Sequence, residues 1–141
     1  MNSQFKVLLL VFIVMSCSQK PEETLVHLNG YWEIEKVTLP DGNHKTYPYN
    51  TTIDYISVND QLEGFRKKMQ PGINNSYKTS NDAEKLVVKI ENDSLNLYYS
   101  TAFSKWKETV LFADEFELKI VSKDQNTYHY KRYEPLTLDL E

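Results

Sequence analysis

Apolar and polar residues alternate with a period of two through most of the chain. In Leu28–Val37, Trp32 and Ile34 fall on one face and Tyr31, Glu33 and Glu35 on the other. Gly30 allows a sharp bend where this first strand begins. Pro40-Asp41-Gly42 then reads as a turn, since proline presets φ and glycine accepts a positive one. His44–Tyr49 and Thr51–Val58 predict two further strands, the latter with Ile53 and Tyr55 opposite Asp54 and Ile56. Gly64–Met69 predicts a strand with Phe65, Lys67 and Met69 on one face, the lysine at a rim with its stem on apolar surface. Lys78–Glu84 is polar and reads as loop or frayed edge strand.

The second half alternates more cleanly. Leu86, Val88 and Ile90 form one apolar row, then Leu95, Leu97 and Tyr99. Trp106, Val110 and Phe112 follow, then Phe116, Leu118 and Ile120, and finally Tyr128, Tyr130 and Arg132. Asn92-Asp93, Ala113-Asp114-Glu115 and Asp124-Gln125-Asn126 supply the turns. No segment carries a convincing helical period. Short, evenly spaced strands with turn signals between them predict an all-β fold. The short connections favour sequential pairing, hence one antiparallel up-and-down barrel of about eight strands over 28–134. The ends of that span carry Trp32 and Arg132. A guanidinium over an indole is a favourable contact that would close the sheet, with Gly30 at the bend beside it. Pro135 ends the last strand and leaves a short acidic tail, 135–141.

The first 16 residues stand apart. One positive charge, Lys6, precedes an apolar run from Val7 to Met15 that is too short to span a bilayer. The run ends Val14-Met15-Ser16-Cys17 and resembles a bacterial lipoprotein signal, in which cleavage before the cysteine leaves an acylated N-terminus. Cys17 is the one cysteine in the chain, so the expected mature protein has neither thiol nor disulfide. Residues 17–27 are then expected to form a lipidated, polar tether. Ser18 follows the cysteine, so the aspartate that marks inner-membrane retention in enteric lipoproteins is missing, which points to the outer membrane. Lys20-Pro21-Glu22-Glu23 resembles the surface-export signal of Bacteroidota lipoproteins, interrupted by Pro21. Both the periplasmic and the cell-surface face stay open.

The formal net charge is −4 at pH 7, and loss of residues 1–16, with Lys6 as their only charge, takes it to −5. Such a balance gives no nucleic-acid footprint. Aromatic residues make up 13% of the chain, ten of them tyrosine, which suits half-buried strands.

Gly30-Tyr31-Trp32 resembles the Gly-x-Trp signature of the first lipocalin strand, and Arg132 sits where lipocalins place the arginine that packs on that tryptophan. Leu28–Trp32, Gly64–Lys68, Trp106–Glu108 and Tyr128–Tyr133 together are similar to the small lipocalin-like lipoproteins of Bacteroidota. The chain lacks the Thr-Asp-Tyr motif of classical lipocalins, their C-terminal helix and their disulfide. The resemblance implies a membrane-anchored binding protein for a small apolar or amphipathic ligand. The alternative is a structural or accessory envelope lipoprotein whose packed barrel docks a protein partner.

Candidate ligand-binding residues are Phe65, Tyr99, Trp106, Glu108, Tyr128 and Tyr130, which line or fill an eight-stranded barrel. Glu108 alternates with Trp106 and Val110, so a regular strand aims it inward, where a carboxylate needs a partner. Arg66, Lys67 and Arg132 are the candidates. Glu108 then either anchors a ligand or belongs to a structural ion pair, unless a bulge turns it outward. His27, His44 and His129 are far apart, with no metal-ligand spacing, so no metal or other cofactor is expected. No nucleophile motif is present, and the chain reads as a non-enzyme.

Overall fold

The structure is a computed structural model, and it describes residues 18–135. Cys17, residues 1–16, read above as a signal, and tail residues 136–141 lie outside the described residues.

Among the described residues, ten strands follow one short helix. They are α1 (Pro21–Leu25), β1 (Gly30–Thr38), β2 (His44–Thr46), β3 (Ile53–Val58), β4 (Glu63–Pro71), β5 (Tyr77–Thr79), β6 (Glu84–Glu91), β7 (Ser94–Ser100), β8 (Lys105–Ala113), β9 (Glu117–Ser122) and β10 (Thr127–Arg132). Eight of them form a closed antiparallel barrel in the order β1-β3-β4-β6-β7-β8-β9-β10, and β10 returns to pair with β1. The short strands β2 and β5 pair with β1 and β4 outside this circuit. The expected up-and-down barrel is therefore the observed fold. At the β6–β7 connection Asn92 and Asp93 take φ of 49° and 59°, the left-handed pair that matches the twist of a two-residue hairpin.

The barrel has a closed end and a mouth. The closed end gathers the start of β1, the β3–β4, β6–β7 and β8–β9 turns, and the end of β10. Helix α1 contacts β7 and β8 there, and Leu25 and Leu62 pack against the core. Pro21 opens α1, where its missing N–H costs nothing, and Glu22 and Glu23 lie in the first turn, favourable to the helix dipole. Thus from Gln19 onward the segment read as a polar tether is docked on the barrel. Five helical residues are too few to show a period.

Above this plug, Trp32, Leu86, Leu97 and Leu118 are 0% exposed, and Leu28, Ile56, Val88, Leu95 and Ile120 are at most 2% exposed. These residues belong to one contiguous buried cluster, so the lower barrel is packed with side chains. Eight strands enclose a space that side chains of this size just fill.

Register decides which residues point in. Trp32 pairs with Asp54, Asp54 with Lys68, and Ile56 with Arg66, so these five share the inner face. Phe65 pairs with Ser57 and Lys85 and lies on the outer face. It meets Tyr55 edge-on at 5.8 Å, at the end of a row in which Tyr55, Tyr31 and Tyr77 stack in turn. Phe65 is therefore not a lining residue, and Lys67 beside it also faces out. The outer face here is itself packed, with Ile53 and Met69 buried as a cross-strand pair, so apolar character gave the wrong phase. A bulge between Val110 and Phe112 separates Phe112 from the inner row, and it lies across from Lys119. Phe116, expected in the same row as Leu118, is 61% exposed in the β8–β9 turn.

Candidate functional site

The inner face changes character toward the mouth. Hairpin pairing places Tyr99 opposite Trp106 and Leu97 opposite Glu108, so all four side chains project inward. Tyr99 and Trp106 stack with centroids 5.2 Å apart. Arg66 enters from β4, with its Cζ 4.2 Å from the centre of the Tyr99 ring. Its Nε donates to Glu84 Oε2 at 2.5 Å, and Nη1 donates to Glu108 Oε2 at 3.2 Å and to the Tyr99 hydroxyl at 3.3 Å. One guanidinium thus joins β4, β6, β7 and β8.

Glu108 faces inward and is 9% exposed. Burial raises its pKa above the usual glutamate range, opposed by the Arg66 charge. Burial also opposes the charge on Arg66, but Tyr99, Glu108 and Glu84 outweigh it and keep the guanidinium protonated. The phenols of Tyr99 and Tyr130 are pushed up by burial and keep their protons. Tyr130 pairs with Ile34 and Leu118, and Tyr128 with Val37 and Ile120, so both project inward from β10.

Among the described residues Asp54 is the other buried carboxylate, 4% exposed. Lys68 Nζ stands 2.5 Å from its Oδ1 as an ion pair, yet no aligned hydrogen bond reaches that oxygen. Lys68 itself is two-thirds exposed, at the rim. A cleft of about 700 Å³ opens above these groups, lined by Asp54, Arg66 and Glu84 below and by 80–83 and 101–103 at its edge. Phe103 stands on that edge, 98% exposed.

Of the sequence-derived candidates, Tyr99, Trp106, Glu108, Tyr128 and Tyr130 share the inner face, and Phe65 does not. Sequence reasoning missed Asp54, Glu84 and Lys68. Alternation placed Asp54 with Ile56, so a carboxylate in phase with a core isoleucine was the available signal. Among the described residues no three His, Cys, Asp or Glu side chains converge as metal ligands.

Barrel closure is built at the opposite end. Arg132 pairs with Trp32 across the β1–β10 seam and donates to the carbonyls of Glu115, Asn29 and His27 at 3.0, 2.8 and 2.9 Å. Gly30 has φ +128°, and a Cβ there would stand 2.5 Å from Arg132 Nη1, so the residue must be small to admit the guanidinium.

No curated protein and no solved structure shows significant similarity to the chain. A family model described as a lipocalin-like domain matches residues 28–137, from the plug leucine through the closing strand. That match covers most of the chain and the whole barrel, and the protein belongs to the lipocalin-like domain family.

Proposed function

We propose that the protein is a lipid-anchored outer-membrane lipoprotein of the Bacteroidota type that binds a small amphipathic ligand at the barrel mouth. A lipocalin-like barrel fits a binding role in general, and such domains are typically not enzymes. The observation that carries the reading is the cleft of about 700 Å³ with a charged floor and an exposed phenylalanine on its edge. Arg66, Glu84, Asp54 and Lys68 offer both signs of charge to a polar head, and Phe103 with Ala102 offers apolar contact to the rest. The solid lower barrel keeps the ligand shallow. Anchoring is supported by Val14-Met15-Ser16-Cys17 at the end of the apolar run.

Native mass spectrometry after incubation with a total envelope lipid extract tests the binding. A discrete bound mass, reduced in Phe103→Ala, supports it, and a bare chain in both contradicts it. Incorporation of labelled palmitate that disappears in Cys17→Ser tests the anchor.

The packed interior favours a second reading, in which the barrel is an accessory module that docks an envelope protein. A groove of about 1060 Å³ on the outer flank, bordered by Tyr49, Ile73, Phe116 and Tyr133, is where such a partner would sit. Site-specific crosslinking from Tyr49 that recovers one stable partner would favour it.

A further inference from the structure

The start of the described chain is fastened to the closed end of the barrel. Gln19 Nε2 donates to the Ala113 carbonyl at 2.5 Å, and Gln19 Oε1 accepts from the Ala113 amide at 3.0 Å. The side-chain amide thus pairs with the end of β8 as a strand residue would. Thr24, 4% exposed, donates its hydroxyl to the same Gln19 oxygen at 3.0 Å. Leu25 then packs into the core, so the clasp continues through α1.

Cys17 is separated from Gln19 by Ser18 alone. Two residues of chain reach no more than about 7 Å. A lipid on Cys17 would therefore hang from a fixed point on the barrel, without a long flexible spacer. Apolar side chains gather at the same end. Val26 is 75% exposed at the end of α1, Phe116 projects from the β8–β9 turn, and Ile90 and Leu111 are exposed near the ends of β6 and β8. Glu22, Glu23, Asp114 and Glu115 lie among them. Lys20, His27 and Arg132 stand beside these carboxylates, and such a mixture of signs fits a zwitterionic surface.

We infer that the closed end of the barrel rests on the lipid surface that holds the Cys17 anchor, and that the mouth points away from it. The inference rests on the anchored reading above. Strands of this length, tilted as in an eight-stranded barrel, hold the mouth roughly 20 Å from the anchor. The cleft then exchanges its ligand with the aqueous side or with a facing partner, and not directly with the bilayer beneath. The lipid tails supply the affinity, and the Gln19 clasp with the apolar footprint sets the orientation.

The test uses the full chain, processed in a Gram-negative host and reconstituted into phosphatidylcholine vesicles that contain an acyl-brominated lipid. Mass spectrometry of the N-terminal peptide establishes whether Cys17 is acylated. Phe116→Cys and Phe103→Cys each receive an environment-sensitive fluorophore, since the Cys17 sulfur is blocked by the lipid. The label at 116 should be quenched at least threefold more strongly than the label at 103. Gln19→Ala should shrink that difference by half or more. An acylated protein with equal quenching at both positions, or stronger quenching at 103, overturns the orientation and leaves the anchor standing. Insensitivity to Gln19→Ala overturns the clasp. An unacylated Cys17 overturns the anchored reading and the orientation with it.

Discussion

Arg132 lies over Trp32 across the seam of the barrel, its Cζ 3.7 Å from the centre of the indole ring. The indole is fully buried and donates Nε1–H to the Leu28 carbonyl at 2.9 Å. The guanidinium ties the end of β10 to the segment before β1 and to the β8–β9 turn. Arg132→Ala should cost about 2–4 kcal/mol, from the cation–π contact and hydrogen bonds made by a charged donor. Arg132→Lys keeps the charge without the planar fork and should recover less than half of the loss. Urea unfolding of the three proteins measures both.

Gly30 is coupled to this pair. Gly30→Ala places a methyl group against Arg132 Nη1 on a backbone of φ +128°, and should cost about 1–3 kcal/mol. Part of that cost is the collision with Arg132, so Gly30→Ala and Arg132→Ala should combine to less than the sum of their separate effects. A double-mutant cycle in urea tests this, and strict additivity would show that the close approach carries no strain.

Much of this closure was legible in the sequence, because Gly30-Tyr31-Trp32 and Arg132 resemble the lipocalin signature and a guanidinium over an indole is a favourable contact. The phase of β4 was not. Phe65 and Arg66 are neighbours, and period two fixes only that they point opposite ways. Arg66 turns inward because Glu84, Glu108 and Tyr99, from three other strands, satisfy it there, and no local pattern reveals those partners. Phe65 turns outward because Tyr55 and the stacked tyrosines beyond it give it apolar cover. The bulge in β8 was hidden for a related reason. It adds one residue within an apolar run, Val110-Leu111-Phe112, where every position suits a strand.

The Arg66–Glu108 pair gives a pH signature. Burial raises the folded pKa of Glu108, so its protonated form favours the folded state. That contribution is complete below the unfolded glutamate pKa and is lost as pH rises through the folded value. Arg66→Met removes the counter-charge, and at neutral pH should cost about 3–5 kcal/mol by leaving a buried carboxylate uncompensated. Much of that loss should return on acidification as Glu108 becomes protonated. Glu108→Gln leaves Arg66 paired with Glu84 and should cost about 1–2 kcal/mol with a flatter pH profile. Unfolding free energies measured from acid to neutral pH distinguish the two variants.

At the mouth, Lys68 is the exposed partner of a buried aspartate. Lys68→Ala should destabilise the fold by about 1–3 kcal/mol, because Asp54 stays buried without its counter-charge. Asp54→Asn with Lys68→Ala should recover part of the loss. Thermal melts of the single and double variants measure the recovery.

Binding at the mouth above a solid barrel is tested most directly by amide chemical-shift mapping in the presence of the envelope lipid extract. Shifts should cluster at 80–84 and 101–103 and at Asp54 and Arg66, while Leu86, Leu97 and Leu118 stay unmoved. Perturbations centred on those three leucines would mean that ligand enters the deep barrel, and a spectrum with no change would contradict binding altogether.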